Sequence, residues 1–319
     1  MNQIHYRHIY GPVPSRRLGR SLGIDLVPLK VCTYNCVYCQ LGRTTKKTVE
    51  RKEYVPVEEV IIELKQFLAS GETPDYIGIS GSGEPTLNDR IGDLIAKIRS
   101  LTRIPLAVLT NGSLLWMSEV QDALMEADLV IPSLDAGDEQ LFRYVNRPHR
   151  SISFERMVDG IAEFTRRFQG EVWLESLLLD GVTGIPAEVE KIAALAKRIG
   201  PARVQLNTAA RPPAEKFAFA IAMDQMKRLA GLFSGKAEVI SDYEGSGFSA
   251  PKTGEATDEN ILSLLSRRPC TLQGISLGLG MNPSEVIKRL QLLSRRGTVR
   301  SVRRNSDIFY EKAGANDKG

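Results

Sequence analysis

Apolar positions along the chain alternate between two periods. Short, nearly continuous apolar runs predict strands at SLGIDLVPL (21–29), DYIGIS (75–80), IPLAVLT (104–110), DLVIPSLD (128–135), EVWLESLLLD (171–180) and RVQLNTA (203–209). Between them, apolar residues recur at helical spacing in VEEVIIELKQFLAS (57–70), NDRIGDLIAKIRS (88–100), SEVQDALMEA (118–127), GDEQLFRYV, SFERMVDGIAEFTRRF and PAEVEKIAALAKRIG (186–200). Pro56 suits the start of the first helix, and Asn88 reads as the N-cap of the second. Five or six strand–helix units in series predict an α/β fold. Its sheet is parallel with helices outside, either open or curled toward a barrel. In such sheets the chemistry sits at the carboxyl ends of the strands.

The pattern changes after residue 240. SDYEGSGFSAPKTGEATD (241–258) is polar and rich in Gly, Ser and Pro, and predicts a linker. TDENILSLLSRR then predicts a helix capped by Thr257, TLQGISLGLG a short helix, and NPSEVIKRLQLLSRRG a longer one stopped by Gly297. TVRSVRR and DIFYEKA predict two strands joined through Asn305-Ser306. Helix, helix–turn–helix and hairpin is the order of a winged helix. The expected organisation is an α/β domain over 1–240, a linker over 241–256, and a winged-helix-like domain with a short tail over 257–319.

A chain of 319 residues with 42% hydrophobic content can bury a sizeable core, and its length fits two domains. No run approaches the roughly 20 apolar residues of a membrane-spanning helix, and the opening MNQIHYRHIYGPVP has no apolar signal region. The expectation is a cytoplasmic protein with no membrane partner. The net charge of +4 is unevenly placed. Residues 257–319 hold eleven Lys+Arg against six Asp+Glu, which leaves the rest of the chain at −1. Lys288, Arg289, Arg295 and Arg296 fall on the helix 283–296, the recognition element of a winged helix, and Arg300, Arg303 and Arg304 on its wing. Such a face suits nucleic-acid phosphates, DNA or RNA, although winged helices also serve as protein contacts.

Three of the four cysteines, Cys32, Cys36 and Cys39, fall within CTYNCVYC. In a reducing compartment such a cluster points to metal or redox chemistry. A structural zinc site needs four ligands, and the histidines, His5, His8 and His149, lie elsewhere. Three thiolates hold either a zinc ion completed by water or a [4Fe–4S] cluster with one iron left without a protein ligand. Cys270, beside Pro269, reads as a small buried hydrophobe.

Cys-x3-Cys-x2-Cys with an aromatic, Tyr38, before the last cysteine resembles the signature of the radical S-adenosylmethionine (radical SAM) enzymes. The resemblance implies a partial (β/α)6 barrel, with the cysteine loop after its first strand. It implies a [4Fe–4S] cluster on Cys32, Cys36 and Cys39, with S-adenosylmethionine on the open iron. One electron, from a donor such as a flavodoxin or ferredoxin, cleaves the cofactor, and the 5′-deoxyadenosyl radical takes a hydrogen atom from a substrate. Gly81, Ser82, Gly83 and Glu84 look like the superfamily's Gly-Gly-Glu motif, which binds the methionine amino group, with Ser82 where glycine is common. Thr110, Asn111, Ser133 and Asp135 match positions where polar residues contact the ribose or methionine part of the cofactor. Over roughly residues 10–215 the chain is similar to the branch containing the tRNA wyosine-forming enzymes. Only Cys270 is spare for that branch's second cluster.

Several residues carry two readings. Arg16, Arg17 and Arg20 of PSRRLGR form either a phosphate or carboxylate cradle or a solvated basic loop. Glu175 and Asn207 face the cleft if the pleat parity is right, and Asn146, Arg147, Pro148, His149, Arg211, Pro212 and Pro213 sit where a substrate pocket would be lined. Trp116 and Trp173 read as core. Three function classes compete: a radical SAM oxidoreductase or transferase modifying RNA or protein, a winged-helix DNA-binding regulator that senses iron–sulfur or S-adenosylmethionine status without turnover, and a zinc-stabilised binding protein.

Overall fold

A computed structural model describes residues 6–235, 237–240, 257–304 and 307–313. The predicted linker 241–256, the Asn305-Ser306 turn and the tail beyond 313 lie outside the described residues.

Among the described residues, ten strands belong to the first part of the chain. β1 (Ile9–Ser15) and β2 (Gly19–Asp25) form an antiparallel hairpin, and β3 (Val31–Cys32) and β4 (Lys46–Lys47) a two-residue parallel ladder flanking the cysteine loop. The others are β5 (Tyr76–Ser80), β6 (Leu106–Thr110), β7 (Leu129–Pro132), β8 (Glu171–Leu178), β9 (Arg203–Thr208) and β10 (Ala237–Val239). The main sheet has the order β1-β2-β5-β6-β7-β8-β9-β10 and is parallel from β2 onward. Its helices are α1 (Val57–Ala69), α2 (Ile91–Leu101), α3 (Ser118–Leu124), α4 (Glu139–Val145), α5 (Phe154–Arg167), α6 (Pro186–Ile199) and α7 (Met223–Ala230). This is the α/β architecture of a partial barrel, with β1 and β10 as its edges.

The core lies between sheet and helices. Leu22, Ile24, Ile77, Ile79, Leu106 and Val108 pack with Leu64, Leu94, Ile98, Ile161 and Ile192. Each such side chain contributes about 1.5–3 kcal/mol when fully buried. On the other sheet face Leu18, Ala107, Leu129, Ile131 and Trp173 form a smaller cluster.

One reading needs correction. Asn88 does not cap α2, whose N-cap position is Arg90. Its buried amide instead donates to the carbonyls of Leu26 and Val55, while its Oδ1 accepts from Arg90 N at 3.0 Å. The cysteine loop follows β2, the first of the parallel strands, as expected, but an unexpected antiparallel strand, β1, precedes it. IYGPVPS hides β1 behind two prolines that only an edge or bulged strand tolerates, and the register slips between Tyr10 and Val13.

The C-terminal unit comprises α8 (Asp258–Arg267), β11 (Cys270–Thr271), α9 (Leu272–Leu279), α10 (Pro283–Arg295), β12 (Val299–Arg304) and β13 (Asp307–Lys312), with sheet order β11-β13-β12. Thr257 caps α8 through its side chain. Its core is Ile261, Leu264, Leu265, Cys270, Ile275, Val286, Leu290 and Leu293, and it takes in Val13 of β1. From its far side Arg304 donates to the carbonyls of Arg211 at 2.9 Å and Ala218 at 2.7 Å, beyond β9. The unit therefore touches both sides of the open sheet. Among the described residues no helix is long and apolar enough to cross a membrane.

Candidate functional site

The loop from Cys32 to Cys39 is held from several directions. Asn35 N donates to Asn146 O at 3.0 Å and Val37 N to Val145 O at 2.9 Å, at the end of α4. His149 N donates to Thr33 O at 2.8 Å, and Glu215 N to Val37 O at 2.9 Å. Tyr34 is buried edge-on against Phe142, with ring centroids 5.4 Å apart. These contacts fix the loop's backbone, so the sulfurs are placed by the fold.

The three thiols are free of disulfides, and each faces a nitrogen donor from a different part of the chain. Asn111 Nδ2 lies 3.6 Å from Cys32 Sγ, Asn146 Nδ2 3.6 Å from Cys36 Sγ, and Lys30 Nζ 3.0 Å from Cys39 Sγ. Donors aimed at sulfur suit thiolates, which accept. Burial, aided by the Glu84 carboxylate, pushes the Cys32 thiol up to about 12, and burial also raises Cys36 well above the ordinary range. Ionising such thiols takes the charge of a bound metal centre. Among the described residues no three His, Cys, Asp or Glu side chains converge on a point for one ion. Cluster cysteines need not converge, because each binds a different iron. The donor set therefore fits an iron–sulfur cluster.

Behind the loop lies a buried polar network. Glu84, 1% exposed, accepts from Thr86 N, Thr86 Oγ1 and Thr110 Oγ1 at Oε1, and from Asn111 N at Oε2. Its carboxylate thus ties the end of β5 to that of β6. Asn111 in turn donates to Thr33 Oγ1 at 2.7 Å. Asp135 accepts from Tyr38 Oη, from Asn146 Nδ2 at 2.7 Å and from Leu177 N at 2.9 Å. Burial raises its carboxyl to about 6 against the pull of those donors. Asn146, 1% exposed, therefore serves the cysteine loop, and its Oδ1 is buried without a partner.

Gly81 and Gly83 are required by the protein's own packing. Gly81 has φ +104°, and a Cβ there would collide with Asp25 Oδ1. A Cβ on Gly83 would strike Val31 O. Ser82 N donates to Asp25 Oδ1 at 2.8 Å, and Lys30 N to Ser82 O at 2.7 Å. The turn is thereby clipped between β2 and the cysteine loop.

A cavity of about 430 Å³ opens beside Cys39 on the inner face of the sheet. Of the residues singled out in the sequence, Tyr38, Cys39, Gly81, Gly83, Thr110, Ser133, Glu175, Asn207, Arg16, Arg17 and Arg211 line it. Arg17 pairs with Glu175 inside it, and Asn207 Nδ2 donates to the same carboxylate at 3.0 Å. Ser82 lines a separate recess with His8 and Asp25, while Glu84, Asn111 and Asp135 stand in the network behind. Arg20 turns away to Glu72, Arg147 pairs with Glu215, and His149 bonds Ser151. Trp173 is buried and Trp116 lies under the guanidinium of Arg156. Sequence reasoning missed Lys30, which is 5% exposed and has φ 63°. Nothing in the sequence marks a lysine for a left-handed backbone position or for burial against a sulfur.

Comparison with known proteins agrees with this geometry. The Radical SAM superfamily profile matches residues 26–216. A UPF0026 protein of Helicobacter pylori is 36% identical over 306 residues, 95% of this chain and 96% of that one. A Brachyspira hyodysenteriae protein named GTPase Obg is 38% identical over 310 residues, 97% of this chain, which spans about half (46%) of that relative's length. In fold, a radical SAM methyltransferase from Sphaerobacter thermophilus superposes with a TM-score of 0.53 at 19% identity, over 69% of this chain and 66% of that one. The cysteine loop, the donors on its sulfurs and the cavity beside it thus belong to a member of the radical SAM superfamily, whose cofactors are a [4Fe–4S] cluster and S-adenosylmethionine.

Proposed function

We propose that this chain is an enzyme that cleaves S-adenosylmethionine reductively and removes a hydrogen atom from a substrate bound in the cavity, in a reaction that modifies RNA or protein. The observation that carries the reading is Cys39, one of three loop thiols with their own N–H donors, opening onto a cavity also lined by Tyr38, Gly81, Gly83, Thr110 and Ser133. Bound together, the two cofactors supply reductive cleavage of a sulfonium C–S bond and hydrogen-atom abstraction.

The chain's residues do the holding. Cys32, Cys36 and Cys39 would ligate three irons, while Lys30, Asn111 and Asn146 donate to their sulfurs. Glu84 and Asp135 fix the ends of β5 to β7 from behind, leaving Gly81, Gly83, Thr110 and Ser133 on the cofactor side of the cavity. Inward polar groups on β8 and β9, Glu175 and Asn207, face the substrate side. Electrons would come from a flavodoxin or ferredoxin, in the reducing cytoplasm that an exposed iron requires.

We read the C-terminal unit as a winged helix. Arg289 pairs with Asp258 and Glu285, Arg296 with Asp258, and Arg300 with Glu311. Arg304 is committed to the main chain after β9. Of the seven cations read from the sequence on this helix and wing, Lys288, Arg295 and Arg303 have no ion pair among the described residues, so nucleic acid is a partner to test rather than the basis of a regulator.

The test is anaerobic reconstitution with iron and sulfide, reduction, and addition of S-adenosylmethionine. The wild type is expected to form 5′-deoxyadenosine and Cys36→Ala to lose the cluster. A Cys36→Ala protein with full iron and sulfide would sink the reading.

A further inference from the structure

Two arginines distant in the chain, Arg17 in the β1–β2 turn and Arg268 at the end of α8, line the cavity beside Cys39 together with the carboxylate Glu175. Fixed charges in a recess are screened less than those on a surface. Glu175 answers Arg17 only at Nη2, and Arg17 Nε is buried without a hydrogen-bond partner. The Arg268 guanidinium has no hydrogen bond or ion pair among the described residues. Buried or half-buried cations are stable when an anion pairs with them, and the guanidinium fork matches carboxylate and phosphate oxygens.

We propose that the substrate carries a carboxylate or phosphate group which these arginines hold, and that Arg268 makes the C-terminal unit part of the substrate site. The inference rests on the reading of this cavity as the place where the S-adenosylmethionine chemistry occurs. It gives the docking of the C-terminal unit a catalytic purpose. Leu264 of α8 and Arg268 at its C-cap reach the cavity because Val13 of β1 is built into that unit's core.

The experiment is calorimetric titration of the reconstituted full chain with inorganic phosphate and, separately, with succinate, at constant ionic strength. Wild type, Arg268→Gln, Arg268→Lys and Arg20→Gln are compared, since Arg20 lies outside the cavity on Glu72. Wild type and Arg20→Gln are expected to bind one of the anions alike. Arg268→Gln should bind it about tenfold more weakly, the loss of one charge-assisted hydrogen bond, with Arg268→Lys between. Binding of phosphate marks a phosphorylated substrate and binding of succinate a carboxylic one, and either supports the proposal. No binding of either at millimolar concentration, or equal affinity in Arg268→Gln, overturns it. Competition between the anion and S-adenosylmethionine also overturns it, because the arginines would then hold the cofactor's own carboxylate. Formation of 5′-deoxyadenosine in the same preparations is scored separately. Its absence from the wild type defeats the functional reading, while the titration reports on the anion site alone.

Discussion

At the scale of single residues, the site is defined by what faces each sulfur. Two of the donors are neutral amides. The third is Lys30, an ammonium 3.0 Å from Cys39 Sγ in a position 5% exposed to water. A cation so placed stabilises the more negative, reduced state of a cluster bound there, because its field is little screened. Lys30→Met is therefore expected to assemble the cluster but to lower its reduction potential, read by a spectroscopic redox titration. An unchanged potential with full iron content would remove Lys30 from this role. The cysteines and Tyr38 were legible because ligand spacing is written directly in sequence. Lys30 was not, since its part depends on a left-handed backbone angle and on Ser82 O, which receives its N–H.

Among the elements, strand ends and the turns after them carry the site. The four-residue turn after β5 is wedged between Asp25 and Val31 O, so its glycines answer to steric limits on the protein side. Gly83→Ala must displace Val31, whose carbonyl also accepts from Glu84 N at 3.2 Å. The expected cost is about 1–3 kcal/mol, typical of overpacking, measured by denaturant unfolding, with a loss of cluster occupancy because Val31 adjoins Cys32. Unchanged stability and iron content would show that the turn has slack. The parallel strands and most helices were readable from hydrophobic period, because each buries one continuous face. β1 was not, since its prolines and glycine erase the strand pattern and its place is set by pairing with β2. Glu84 and Asn146 looked like pocket residues in sequence. Burial and four accepted hydrogen bonds make Glu84 a brace between strands, and long-range contacts bring Asn146 to Cys36 and Asp135.

Across the whole molecule, the C-terminal unit is joined to the sheet at two places, through Val13 in its core and through Arg304 on the carbonyls of Arg211 and Ala218. The basic excess of residues 257–319 was visible in composition, but composition does not show which cations already have partners. Several are neutralised by Asp258, Glu285 and Glu311, and Arg268 turns into the cavity. On the proposed reading the sheet holds the cofactor side and the C-terminal unit completes the substrate side. The loop thiols and the cavity are proposed to run S-adenosylmethionine cleavage together. The most direct measurement is the yield of 5′-deoxyadenosine from the anaerobic, reconstituted, reduced protein, by mass spectrometry against a variant lacking Cys32, Cys36 and Cys39. The product is expected from the wild type and none from the variant; equal yields from both, or no cluster in the wild type after reconstitution, would contradict the proposed chemistry.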